Sequence, residues 1–198
     1  MAESYARMLP DASYEAPLDL AMIGHFVAQL AKDARVLDAG CGAGRMIDYL
    51  TQLNPSLHIE GVDLSPAMVE VARAAYPDVR IKTGELGALS YQDGEFDGVL
   101  AWYSLIHCPS EGLGPIFDEL YRVLAPGGVV LTGFQSGEGE WLSTRPYGHI
   151  VELRSFLRST DQMARCAESA GLVVIARLDR GARKNDRHSQ GFILARRP

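Results

Sequence analysis

The sequence predicts an α/β fold in which a mostly parallel sheet lies between two layers of helices. Three observations carry that prediction. Strand-like and helix-like segments alternate from residue 35 to residue 134, and successive βαβ units place helices on both faces of a parallel sheet. The stretch FDGVLAWY, 96–103, is apolar nearly throughout, as expected for a strand covered on both sides. Gly40, Gly42 and Gly44 follow the apolar strand RVLDA at once. In such sheets, ligands sit beyond the C-terminal strand ends.

The elements follow in order. Residues 1–16 show little periodicity and read as a mobile arm. Residues 17–32 carry Leu20, Ile23, Phe26, Val27 and Leu30 at helical spacing behind Pro17. RVLDA (35–39) is a strand and AGRMIDYLTQL (43–53) a helix. LHIEGVD (57–63) is a strand, and Ser65 with Pro66 opens a helix that runs to about Ala75. VRIKTG (79–84) and FDGVLAWY are strands, GPIFDELYRVL (114–124) is an amphipathic helix, and GVVLTGF (128–134) is a strand. Residues 135–159 break the rhythm and read as a functional insertion. A helix over 160–170, capped by Thr160, precedes strands at 172–179 and 191–197, which form a C-terminal β-hairpin around a basic turn.

Bulk properties narrow the function. The 198 residues suit a single domain, 1–198, with 1–33 as an arm and helix serving as a lid. Hydrophobic residues make up 47% and charged residues 22%, ordinary globular usage. A net charge of -6 argues against sequence-blind binding to nucleic acid or anionic lipid. No apolar run approaches the length of a membrane span. Residues 1–17 have no basic region followed by an apolar core, so a cytoplasmic location is expected. Cys41, Cys108 and Cys166 lack CxxC or zinc-ligand spacing, which suggests reduced thiols and no metal site.

The glycine spacing selects among cofactors. Dinucleotide sites use GxGxxG, but counting from Gly40 puts Arg45 where the third glycine would stand. Here the pattern is GxGxG within VLDAGCGAG. A second carboxylate, Asp63, ends the next strand in EGVDLSPAMVEVAR. An ionised carboxylate can accept hydrogen bonds from two vicinal hydroxyls.

These residues resemble the first motifs of the class I, Rossmann-like S-adenosylmethionine-dependent methyltransferases of the small-molecule type. TGELGALSYQDGEFDGVLAWYSLIH (83–107) and DELYRVLAPGGVVLTG (118–133) extend the likeness to about residues 34–134. The resemblance implies a three-layer αβα sandwich with a seven-stranded sheet. Its last strand is antiparallel and inserted between the fifth and sixth. It also implies roles. Asp38 and the backbone of Gly40 would hold the methionine end of the cofactor, with Cys41 a small residue in the loop. Gly42 and Gly44 would let the backbone approach. Asp63 would bind the ribose, Leu64 and Met68 would pack on the adenine, and Leu86 would offer its N–H to that ring. Glu85 stands where the family often has aspartate. The carbonyls near Ala101 and Trp102 would lie by the methionine end.

The acceptor side is open in the sequence. His107 reads either as a base near the transferred methyl or as a residue closing a strand end. Tyr103 and Tyr147 read as pocket or packing, and His149 as a further polar group of the insertion. The position after the fourth strand reads AWYS, not the [DN]PP[YF] of nucleobase methyltransferases, so a small molecule is expected and nucleic acid is not. Arg145, Arg154 and Arg187 suggest a carboxylate- or phosphate-bearing acceptor held by bidentate guanidinium contacts. No nucleophile elbow, HExxH or triad is present, and a sulfonium methyl needs none, because the cofactor carries the chemistry. Two other readings compete: a nicotinamide-dependent oxidoreductase, and a cofactor-binding protein of the same fold without methyl transfer.

Overall fold

The computed structural model describes residues 1–184 and 186–198. Seven strands form the main sheet: β1 (Arg35–Ala39), β2 (His58–Asp63), β3 (Arg80–Thr83), β4 (Phe96–Trp102), β5 (Leu124–Ser136), β8 (Val173–Arg180) and β9 (Ser189–Arg196). Their order is β3-β2-β1-β4-β5-β9-β8. Six strands run parallel; β9 is antiparallel to both β5 and β8. The chain leaves β1 toward β2 and β3 on one side and returns to β4 and β5 on the other. The topological switch point, where open α/β sheets place ligands, therefore lies above β1 and β4.

Six helices surround the sheet: α1 (Ala2–Met8), α2 (Pro17–Val27), α3 (Ile47–Leu53), α4 (Pro66–Ala75), α5 (Ser110–Val123) and α6 (Thr160–Ser169). Apolar side chains of α5 and α6, among them Phe117, Leu120 and Met163, pack with Phe96 and Ile193 in one cluster. Phe26 of α2 and Leu50 of α3 pack with Trp102, Phe192 and Leu194 in a second. A smaller cluster joins Val69 and Ala72 of α4 to Ile81. Alternate side chains of the central strands serve opposite clusters, as the two-residue pleat requires.

Local signals place most boundaries. Ser65 Oγ accepts from the Met68 N–H at 3.4 Å, with Pro66 at the first helical position, as the sequence predicts. Five expectations are corrected. Residues 1–16 are not an unstructured arm but contain α1 and a 3₁₀ turn, Ala12–Tyr14. Helix α3 starts at Ile47 rather than 43, because Gly44 at φ +86° cannot join a right-handed helix. Helix α5 begins one turn before 114, behind Pro109, and ends at Val123. Strand β5 begins at Leu124 and bulges over Pro126, Gly127 and Gly128 before pairing with β4 again at Val129. The cap of α6 is Ser159, whose Oγ accepts from the Gln162 N–H (3.2 Å) while Gln162 Oε1 accepts from the Ser159 N–H (2.9 Å). Thr160 is instead the first helical residue, and its hydroxyl donates to Asp179 at 2.7 Å.

Residues 135–159 contain a two-stranded antiparallel hairpin, β6 (Glu140–Ser143) and β7 (Leu153–Phe156), with a 3₁₀ turn at Pro146–Gly148 between them. The Phe156 N–H donates to the Ile106 carbonyl (2.8 Å), which ties the hairpin to the loop after β4. Among the described residues, no helix is long and apolar enough to cross a membrane.

Candidate active site

The glycine loop connects β1 to α3 at the switch point. Gly40, Gly42 and Gly44 have φ of +82°, +54° and +86°, a region that side chains other than glycine rarely tolerate. The Gly40 and Cys41 N–H groups both donate to the Val62 carbonyl, at 2.7 and 3.0 Å, and pin the loop to the end of β2. Asp63 extends that tie: its Oδ2 accepts from the Gly42 N–H at 2.8 Å and its Oδ1 from the Ser65 N–H at 2.9 Å. A carboxylate offers about four lone-pair sites, so each oxygen keeps capacity for a ligand hydroxyl. The carbonyl of Asp63 also takes the Gly84 N–H (3.0 Å), which fixes the start of the loop bearing Glu85 and Leu86.

Asp38 lies at the base of this loop. It is 1% exposed, and its Oδ2 has no hydrogen-bond partner among the described residues. Burial pushes its pKa up to about 7, opposed by the Arg45 guanidinium and reinforced by Asp63. A buried carboxylate oxygen without a partner is costly, and a ligand cation or N–H would relieve it. The Ser104 hydroxyl on the loop after β4 and the Trp102 indole N–H are buried and unpartnered as well. The free Asp38 oxygen, the Ser104 hydroxyl and the glycine cradle fit the amino-acid end of S-adenosylmethionine.

The N-terminal segment covers the loop. A Cβ built on Gly42 would stand 3.6 Å from the Tyr5 ring of α1. Burial raises the Tyr5 pKa, with Arg45 acting against it. Tyr5 meets Tyr147 of the insertion edge to face at 5.1 Å, and Ser4 Oγ lies in hydrogen-bond contact with His149 Nε2 at 3.0 Å. Arg45 forms a buried ion pair with Glu15. Next to it, Asp19 of α2, 0% exposed, takes a bidentate fork from Arg180 (2.6 and 2.8 Å), whose other arm reaches Asp186 at 2.6 Å. Tyr103 stands beside these pairs with φ +57°, a conformation that costs energy for a bulky side chain and is found at functional sites. Burial, with Glu15 and Asp19 nearby, raises its pKa far above the usual phenol range.

The remaining predicted residues divide by place. Leu64 is 71% exposed and Met68 half-buried, both at the start of α4 beside Asp63. Glu85 is exposed; Leu86 packs against the core. Cys41 is buried, and burial drives its thiol far up. Ala101 and Trp102 are buried at the end of β4, and the Trp102 indole stacks on Phe192 at 5.2 Å inside the core. His107 is exposed, and its Nδ1–H donates to the Arg154 carbonyl at 2.7 Å. A carbonyl only accepts, so Nε2 is the acceptor nitrogen of the neutral ring. Desolvation lowers the His107 pKa, which favours that neutral form.

The arginines do not converge on one point. Arg154 pairs with Glu140 across the β6–β7 hairpin at 2.7 Å. Arg187 stacks over Trp141 at 4.3 Å. Arg145 is exposed at the start of the 3₁₀ turn. Sequence reasoning missed Tyr5, Glu15, Asp19, Arg45, Ser104 and Arg180. Nothing in the local pattern singles out Asp19, and Arg45 reads only as the residue that breaks a dinucleotide motif.

The sheet order and the glycine loop at the switch point are those of the Rossmann-like α/β methyltransferase fold. Residues 36–128 match the family model described as "Methyltransferase domain". The chain is 32% identical over 161 residues to malonyl-[acyl-carrier protein] O-methyltransferase of Salmonella typhimurium strain LT2, covering 81% of this chain and 58% of that protein. It spans 32%, 44% and 58% of the length of three curated relatives that it matches. A SAM-dependent methyltransferase from Methanosarcina mazei superposes with a TM-score of 0.77 at 18% identity, over 92% of this chain and 98% of that one. Phosphoethanolamine N-methyltransferase 2 of Haemonchus contortus, solved with S-adenosyl-L-methionine, gives 0.76 at 18% identity, over 100% of this chain and 56% of that one.

Proposed function

We propose that this chain is an S-adenosylmethionine-dependent methyltransferase that acts on a small molecule. The observation that carries the reading is the buried, unpartnered Asp38 Oδ2 beneath a glycine loop whose other side is held by Asp63. When bound, the cofactor supplies an already activated sulfonium methyl. Asp38 takes the methionine ammonium, and the glycines, with no side chains in the way, let the loop backbone approach the methionine carboxylate. Asp63 accepts from the ribose hydroxyls. Leu64 and Met68 cover the adenine, Leu86 offers its backbone N–H, and Glu85 lies at its edge. The backbone at Ala101 and Trp102 borders the methionine end.

The chain contributes alignment more than acid–base chemistry, since an in-line displacement gains most from positioning. Tyr5 of the lid segment and Tyr147 of the insertion close the site and exclude water. Tyr103, held at positive φ, faces the acceptor, and His107 offers Nε2 as a base where the nucleophile must lose a proton. Arg145 and Arg187 stand at the mouth for an anionic acceptor. Arg154, paired with Glu140, contributes less to that role. The chain is read as one domain, 1–198.

Isothermal titration with S-adenosylmethionine and S-adenosylhomocysteine, on wild type and Asp63→Ala, tests this. Micromolar binding that is lost in a variant with unchanged circular dichroism supports the reading. Absence of binding to the wild type overturns it. Binding without turnover over a wide panel of acceptors would instead favour a non-catalytic cofactor binder.

A further inference from the structure

Away from the glycine loop, a cavity of about 550 Å³ opens between α5 and α6. That is ample for a small metabolite. Ser110 of α5, Arg158, and Gln162, Arg165 and Cys166 of α6 line it, with Asp118 further along α5. Arg158 is its unusual wall. The residue is 3% exposed, yet no carboxylate pairs with it among the described residues. Its guanidinium donates only to carbonyls: Leu105 at 3.3 Å, Phe156 at 3.4 Å, and Cys108. Its Nε–H has no acceptor. A guanidinium carries five N–H donors, so donors remain uncommitted on a buried cation. Buried charges are ordinarily paired, which makes a missing counter-charge informative.

Other observations point to the same end of the cavity. Arg165 has no hydrogen-bond or ionic partner in the described set. Helix α5 starts at Ser110 behind Pro109, without a side-chain cap; the Gly112 N–H donates to the Pro109 carbonyl, which leaves the Ser110 and Glu111 N–H groups open. Asp118 also borders the cavity, yet it forms no ion pair with Arg158. Desolvation lowers the Arg158 pKa, and the same guanidinium works against the burial that raises the thiols of Cys108 and Cys166. Both sulfurs therefore lie within its field.

We infer that the α5–α6 cavity is a second ligand site, which takes a small molecule through a carboxylate or phosphate group bound between Arg158, Arg165 and the start of α5. It is separate from the cofactor site and rests on none of the roles assigned there.

Cys166 provides a local probe on the full chain. Its alkylation by iodoacetamide is followed by peptide mass spectrometry, with free N-acetylcysteine in the same solution as the control. Sodium phosphate or sodium acetate is added and compared with sodium chloride at equal ionic strength. The site predicts saturable protection of Cys166, about tenfold at ten times the Kd, with the free thiol unaffected. Protection by phosphate alone identifies a phosphate site, and by acetate alone a carboxylate site. Arg165→Gln, a change at an exposed residue on the rim of the cavity, should weaken the protection several-fold, and Arg158→Gln should abolish it. Should Arg158→Gln fail to fold, Arg165→Gln carries the test. Equal Cys166 rates in all three salts, or protection unchanged in Arg165→Gln, overturns the inference.

Discussion

Gly40 lies so close to Ser104 that a Cβ on the glycine would stand 2.1 Å from the serine Cβ. The two residues belong to the loops after β1 and β4, so their contact sets the width of the crevice at the switch point. Gly40→Ala meets both this clash and a φ of +82°. A cost of about 1–3 kcal/mol is expected from the backbone alone, with more from the displaced loop. Thermal melting should show the destabilisation, and titration should show cofactor affinity falling further than the melting point implies. Normal binding by a folded Gly40→Ala would contradict the geometry.

The Asp19–Arg180 pair makes a second prediction. Both side chains are buried and joined by a two-pronged hydrogen bond. Arg180→Ala leaves Asp19 buried without a counter-ion and should cost about 3–5 kcal/mol, whereas Asp19→Ala leaves Arg180 paired with Asp186 and should cost less. Replacing both by leucine should recover much of that loss, because desolvating two ions offsets most of what their attraction returns. Urea denaturation of the two single variants and the double variant decides this. A small loss in Arg180→Ala would mean that water reaches Asp19.

Asp38 couples the site to pH. Its folded pKa is about 7, against about 3.9 in an unfolded chain. Between those values the folded state holds more protons than the unfolded one, so this group lowers stability as pH rises through that window. A shift of about three units corresponds to about 4 kcal/mol at most. Asp38→Asn should therefore flatten the decline in stability from pH 4 to pH 7. A bound ammonium favours the ionised carboxylate, so cofactor binding should release a proton below pH 7. Titration in buffers of different ionisation enthalpy measures that proton. Its absence at pH 6 would separate Asp38 from the ammonium.

Tyr5 and Tyr147 should govern release. An edge-to-face pair contributes about 0.5–1.5 kcal/mol beyond its buried area. Tyr5→Ala should then speed cofactor dissociation roughly two- to tenfold, with the association rate changing less. Stopped-flow displacement gives both rates. An unchanged dissociation rate would remove α1 from the closing of the site.

Whatever depends on near neighbours in the chain was legible. Ser65 and Pro66 open α4 where their types demand it, and the glycine triplet marks the switch point because few other residues adopt its dihedrals. What depends on distant partners was not. Arg180 and Asp19 are 161 residues apart in the chain, and neither has a local pattern that announces the other. Arg154 looked free until the hairpin folded Glu140 against it. Helix α1 has seven residues and no side-chain cap; so short a helix has little intrinsic stability and forms only against the segments it packs on.

Strand β9 carries a further consequence. It enters the sheet last yet lies between β5 and β8, pairing with both. While residues 189–196 are still inside the ribosomal tunnel, β5 and β8 cannot be joined, and the emerging chain presents an unpaired β5 edge with an apolar surface. Such edges recruit strands from other chains, and long-range pairings form slowly. Synthesis of this protein therefore includes an interval of exposure to aggregation, when a chaperone that shields strand edges would most increase the yield of native chains.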